Sequence, residues 1–145
     1  MQALALFVVS VTLLSACVSI RVDRVPAEVL RGMQRVCIER NPRVLVSDFL
    51  PIVQDGFRRH GIQTAVYDAP VPTDCQFVLT YTARQGWDIV NYLKYPELTL
   101  RDGGRIVGKA EYRHGGGFAT SKFASTYTKV SPLVDDLLSA APAAR

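Results

Sequence analysis

The sequence predicts an α+β fold: an antiparallel sheet of about four to five strands with two helices packed on one face. Three observations carry this. β-prone runs follow one another between residues 64 and 112, which favours antiparallel neighbours over a strand–helix alternation. Apolar residues recur at helical spacing twice, around residues 49–57 and 130–138. The turn sequence Asp102-Gly103-Gly104 joins two alternating segments as a hairpin. The chain has 145 residues, the size of one domain, and its 48% hydrophobic and 21% charged content is ordinary for a globular protein.

Residues 1–16 contain no charge. Their apolar stretch is far short of the roughly 20 residues a membrane-spanning helix needs, so the segment reads as a signal peptide removed on maturation. No Lys or Arg precedes the apolar run; either the α-amino group supplies the only positive charge or the true start lies upstream of Met1. The segment ends in Leu14-Ser15-Ala16-Cys17, which resembles the lipobox of bacterial lipoproteins. That resemblance implies acylation of Cys17, cleavage before it and a membrane attachment through the acyl chains. Val18, rather than Asp, follows the cysteine, which by analogy with enteric sorting implies the periplasmic face of the outer membrane. The competing reading is an ordinary secretory signal that happens to end near a cysteine.

The chain has three cysteines, and an odd count in a secreted protein leaves one thiol over. With Cys17 lipidated, Cys37 and Cys75 remain, in an envelope where disulfides persist. A bridge between them closes a loop of about 39 residues and contributes roughly 4 kcal/mol by chain entropy. Two buried free thiols are the alternative.

Residues 17–33 read as a tether from the anchor, with Arg21, Arg24 and Arg31 largely offset by Asp23 and Glu28. Residues 34–145 read as a single periplasmic domain. Its first run, "RVCIE", is a strand ended by Asn41-Pro42. Phe49, Ile52, Val53 and Phe57 then form a helical stripe, capped by Ser47 or Asp48 and stopped at Gly61, with Pro51 as its weak point. "TAVY" is a short strand. In "QFVLTYTA", Phe77, Leu79, Tyr81 and Ala83 alternate with more polar residues as in a half-buried strand. In the hairpin that follows, Leu98 and Leu100 enter the turn, and Ile106, Ala110 and Tyr112 leave it on one face. The last stripe, Val130, Leu133, Val134, Leu137 and Leu138, predicts a helix with Ser131 as cap and Pro132 at its first position.

"CIERNPRV", "DFLPIVQDGFRRHGIQTAVYD", "DCQFVLTYTARQGWDIVNYL" and "GKAEY" together resemble a family of small uncharacterised proteobacterial lipoproteins. The shared frame is two cysteines, a helix ending in Gly, a "YTA…WD…YL" segment and a late "AEY", over about residues 36–138. The resemblance implies an envelope address and the Cys37–Cys75 bridge, and no particular activity.

The formal charge of +4 is too small and too evenly mixed to point to nucleic acid. There is no HExxH, no CxxC and no Asp-rich loop, and "GGG" at 115–117 lacks the continuation of a phosphate loop, so no metal or cofactor is expected. His60 reads as a cation at a helix end and His114 as a loop residue; a hydrolase would need a site assembled from distant segments. The chemistry-bearing cluster is Trp87, Asp88, Asn91 and Tyr92, where one strand ends and the next begins. It reads either as a glycan-, lipid- or peptide-binding site, or as a Trp plugging the end of the core with Asp88 capping a turn. The expectation is a non-enzymatic, lipid-anchored domain that binds or supports an envelope protein or other component. The sequence leaves its oligomeric state open.

Overall fold

The computed structural model describes residues 18–114 and 120–140. Six strands lie among them: β1 (Val18–Asp23), β2 (Arg35–Glu39), β3 (Gln63–Tyr67), β4 (Phe77–Asp88), β5 (Val90–Asp102) and β6 (Arg105–His114). The described α-helices are α1 (Ala27–Gly32), α2 (Phe49–Arg59) and α3 (Thr126–Leu138), the last preceded by a 3₁₀ turn, Thr120–Phe123. The strands form one sheet in the order β1-β6-β5-β4-β2-β3.

The α+β class holds, but the sheet is larger than four to five strands and is mixed. β2 runs parallel to both β3 and β4, while the other pairs are antiparallel. The chain leaves β2, forms α2 and returns as β3, and a helical crossover of this kind delivers a parallel strand.

The segment read as a tether is folded onto the domain. β1 pairs with β6 over its whole length, from Val18↔His114 to Asp23↔Lys109. Beyond it, the Val25 side chain is fully buried and its N–H donates to the Leu137 carbonyl at 3.0 Å, which fastens the segment to the end of α3. Met33 is buried as well.

One face of the sheet carries the core. Phe49 and Phe57 from α2, Leu79, Leu98 and Leu100 from the sheet, and Leu133 from α3 are all fully buried in one cluster. At about 25 cal/mol per Å² of apolar surface removed from water, this burial is the main force holding the fold. α2 and α3 approach closely at Gly56, where a Cβ would come within 2.5 Å of a Val134 methyl.

α2 follows its sequence signals. Pro51 falls in the first turn, where a missing N–H is harmless, and Asp48 stands at the N-cap position, but its side chain makes no capping hydrogen bond, so the expected side-chain cap is not formed. At the other end Gly61, at φ +74°, lets its N–H reach the Arg58 carbonyl and that of Ile62 reach the Phe57 carbonyl, both at 3.0 Å. α3 departs from them. It starts earlier than expected: Ser125, not Ser131, is the cap, its hydroxyl accepting the Thr128 N–H at 3.1 Å, and Pro132 lies inside the helix. The buried stripe compensates for the hydrogen bond that Pro132 cannot make. Ile106 is a second departure. A register shift beside Leu100 places an extra residue, Val107, in β6, so Ile106 faces solvent while Ala110 and Tyr112 stay buried.

Cys37 and Cys75 are bonded, with Cα atoms 6.0 Å apart. The bridge ties β2 to the loop before β4, on the face of β2 opposite Val36 and Ile38.

Candidate functional site

The β4–β5 hairpin outgrows the sheet. β6 pairs with β5 only from Glu97 onward, and β2 meets β4 only near Val78 and Leu79, so residues 84–94 pair with each other alone. The arm begins at an irregularity between Thr82 and Arg84, opposite which Tyr95 takes φ +49°. From there the pairs run Arg84↔Lys94, Gln85↔Leu93, Gly86↔Tyr92, Trp87↔Asn91 and Asp88↔Val90, which leaves Ile89 alone at the tip. Ile89 has φ +66°. A β-branched residue there is strained by roughly 1–2 kcal/mol, because its Cβ crowds the neighbouring carbonyl.

The tip is apolar and open. Trp87 is 76% exposed, Ile89 85% and Val90 53%. Trp87 therefore does not plug the core; Leu93, buried at the base of the arm, occupies that place. Of the residues singled out from sequence, Trp87 and Asn91 stand directly opposite each other and share a face. Tyr92 points the other way and turns toward the base, its ring edge-on to Phe123 with centroids 5.9 Å apart. The Asp88 side chain lies outside the described residues, as do Cys17 and the His114 side chain.

Lys129 fixes the base of the arm. It is almost fully buried in α3, and its ammonium donates to the Leu93 carbonyl at 3.1 Å and to the Lys122 carbonyl. The charge also lies 5.8 Å from the centre of the Tyr92 ring. Burial pushes the Lys129 pKa below the ordinary lysine value, since the charged form loses hydration. Sequence reading missed Lys129, Ile89 and Val90. The available signal was the "WDIV" run, three large apolar residues around one acid with no Gly or Asn to make the turn.

Two polar clusters are accounted for by folding. On the sheet face away from the helices, Glu111 is nearly covered and sits among Arg113 at 3.3 Å, Arg21 at 3.8 Å and Lys109 at 3.9 Å. Lys109 also reaches Glu97 at 3.3 Å, relieving the repulsion of two carboxylates that face each other across β5 and β6. Between α2 and α3, His60 Nε2 donates to Asp135 Oδ1 at 3.0 Å, and Arg59 reaches both Asp135 and the Ser131 hydroxyl, the latter at 2.8 Å. Asp55 pairs with Arg58 and Arg59; the hydrogen bond from Arg58 holds its carboxyl below the usual range. The Asp135 hydrogen bond raises the already high Arg59 pKa. Ser131 thus meets a guanidinium, which cannot take its proton, while the histidine beside it is engaged by Asp135.

Among the described residues no group of three or more His, Cys, Asp or Glu side chains is placed to hold a metal ion, and no helix is long and apolar enough to cross a membrane. No protein-family model matches the chain, and no curated protein matches its sequence. Solved structures do share its fold. The PelC dodecamer from Paraburkholderia phytofirmans superposes with a TM-score of 0.59 at 13% identity, over 87% of this chain and 100% of that one. A single-substitution variant of the PelC dodecamer from the same organism gives 0.57 at 17% identity, over 83% and 97%. At these identities the likeness is one of fold.

Proposed function

We propose that the chain is a lipid-anchored, non-enzymatic periplasmic domain that assembles from several copies and binds or supports another component of the cell envelope, at the periplasmic face of the outer membrane. The observation that carries this reading is the position of the lipobox. Cys17 immediately precedes β1, which pairs with β6 from its first residue. Acylation of Cys17 would therefore hold the sheet itself at the bilayer, with no flexible spacer. Two or more acyl chains bind stably where a single chain is marginal. The bonded Cys37 and Cys75 suit an oxidising compartment.

Assembly is supported by the PelC likeness, which spans the whole of the PelC chain in a protein that is a dodecamer. Among the described residues the sheet ends in two unlike edge strands, β1 and β3. Head-to-tail contacts between identical subunits need such unlike surfaces on one molecule. Native mass spectrometry of the protein extracted from bacterial membranes in mild detergent tests the assembly. The expected result is a multiple of the subunit mass that persists on dilution. A single copy across several detergents would contradict it.

A further inference from the structure

The geometry points to the tip of the β4–β5 arm as a second membrane contact, which enters the interfacial region of a bilayer containing anionic phospholipid. This rests on the lipid-anchor reading for its orientation, and on the arm itself for its chemistry.

Orientation follows from strand register. Glu97 of β5 faces Glu111 of β6, so the three residues from Glu111 to His114 run toward the arm. His114 in turn faces Val18. The start of β1, and with it the attachment point of Cys17, thus lies at the end of the sheet from which the arm projects. An acyl anchor and the arm tip face the same way.

The chemistry of the tip suits an interface. Trp87 is the only Trp in the chain and is mostly exposed, and indole favours the headgroup level, where its ring is shielded and its N–H stays wet. Ile89 and Val90 are exposed beyond it, with acyl tails as their natural surroundings. Arg84 and Lys94 face each other as a like-charged pair at the base of the arm. Like charges directly opposite each other are unfavourable, an effect offset here in part by the Tyr92 and Tyr95 rings, whose centres lie 5.7 and 5.8 Å from the Lys94 ammonium. Four residues behind the last pair of the arm, Asp88↔Val90, the Arg84–Lys94 pair sets two cations about 13 Å back, the depth of the lipid phosphates once the tip has entered by roughly 5–10 Å. The strained φ of Ile89 fits the same account: an apolar residue stands at a turn where Asn or Gly would fold more easily.

Because the chain has one Trp, its fluorescence reports this site alone. The full-length protein extracted from membranes is reconstituted into phosphatidylethanolamine–phosphatidylglycerol vesicles with brominated acyl chains. The expected result is a blue-shifted Trp87 emission, at least twofold quenched by the brominated lipid, and several-fold less quenching in Ile89→Asn. Because Asn relieves the backbone strain, the variant's unfolding midpoint should be unchanged or raised, which separates lost contact from lost fold. Red-shifted emission that acrylamide quenches freely and bromine does not would overturn the proposal. So would shielding that rises with protein concentration and needs no lipid, because it would mean that a second copy covers the tip. The mass of the same sample reads the anchor separately: lipidated protein without bromine quenching defeats the tip alone, and quenching of unlipidated protein defeats the anchor alone.

Discussion

The sheet body and the arm that leaves it are built from the same two strands and obey different rules. In the body, Leu79, Leu98 and Leu100 face the core, and the β5–β6 turn is filled by Gly103 and Gly104 at positive φ. The facing carboxylates Glu97 and Glu111 share Lys109. At the opposite end of β5, in the turn that joins it to β4, an isoleucine takes the positive φ, and along the arm two cations face each other and the largest apolar side chain is turned outward. In the body the exceptions, Pro132 inside α3 and the facing carboxylates, are each offset by packing or an ion pair, whereas the arm contradicts several local rules at once. Such a concentration of broken rules marks where selection acts on something other than stability.

That contrast is open to attack from both sides. The largest expected effect lies in the body: replacing Cys37 and Cys75 together by Ala should remove roughly 4 kcal/mol of unfolding free energy, read by urea titration. Trp87 emission of the folded protein should not move, because the bridge lies away from the arm. A shift in that emission would show that arm and body are coupled.

An intermediate effect is expected at the joint. The folded pKa of Lys129 lies below its ordinary 10.5 because of burial. The unfolded chain therefore binds this proton more tightly, so this group makes stability rise with pH over the window that ends near 10.5. Below that window its cost is fully present. Tyr112, raised by burial from 10.0, acts in the opposite sense as the unfolded phenol ionises. The difference between wild type and Lys129→Met isolates the lysine: the rise should vanish in the variant, and a rise that survives would mean that the ammonium pays no cost in the folded state.

The smallest effect belongs to the tip. Ile89→Asn should leave stability unchanged or raise it by about 1 kcal/mol or less, since Asn tolerates the left-handed region. A clear loss would mean that the tip contributes to folding, and the contrast with the body would fail.

Much of the body was legible in the sequence. β2, α2, β3 and the β5–β6 hairpin stand where β-prone runs, helical periodicity and turn residues put them; α2 buries one stripe, and its pattern records it. β1 was not legible, because Arg21 and Asp23 on an edge strand look like the charges of a solvated linker. α1 is six residues, too short to show a period. The parallel β2–β3 pair was within reach, because the helix between the two strands already implies a crossover. The start of α3 misled because Ser131-Pro132 imitates a helix entry, while the true cap, Ser125, lies two turns earlier. Ile106 misled because a one-residue bulge reverses which face follows. The arm was half legible. A lone Trp at a strand boundary drew attention, yet composition is the same for a Trp in the core and one in solvent, and the turn at Ile89 carries none of the usual turn residues.

The central claim is that this domain is held at a bilayer by Cys17, and the intact mass of the protein taken from bacterial membranes tests it most directly. The account predicts a species that begins at Cys17, heavier by its acyl groups, in which Cys37 and Cys75 are alkylated only after reduction. A species without acyl mass, with the leader retained or cut elsewhere, would contradict it.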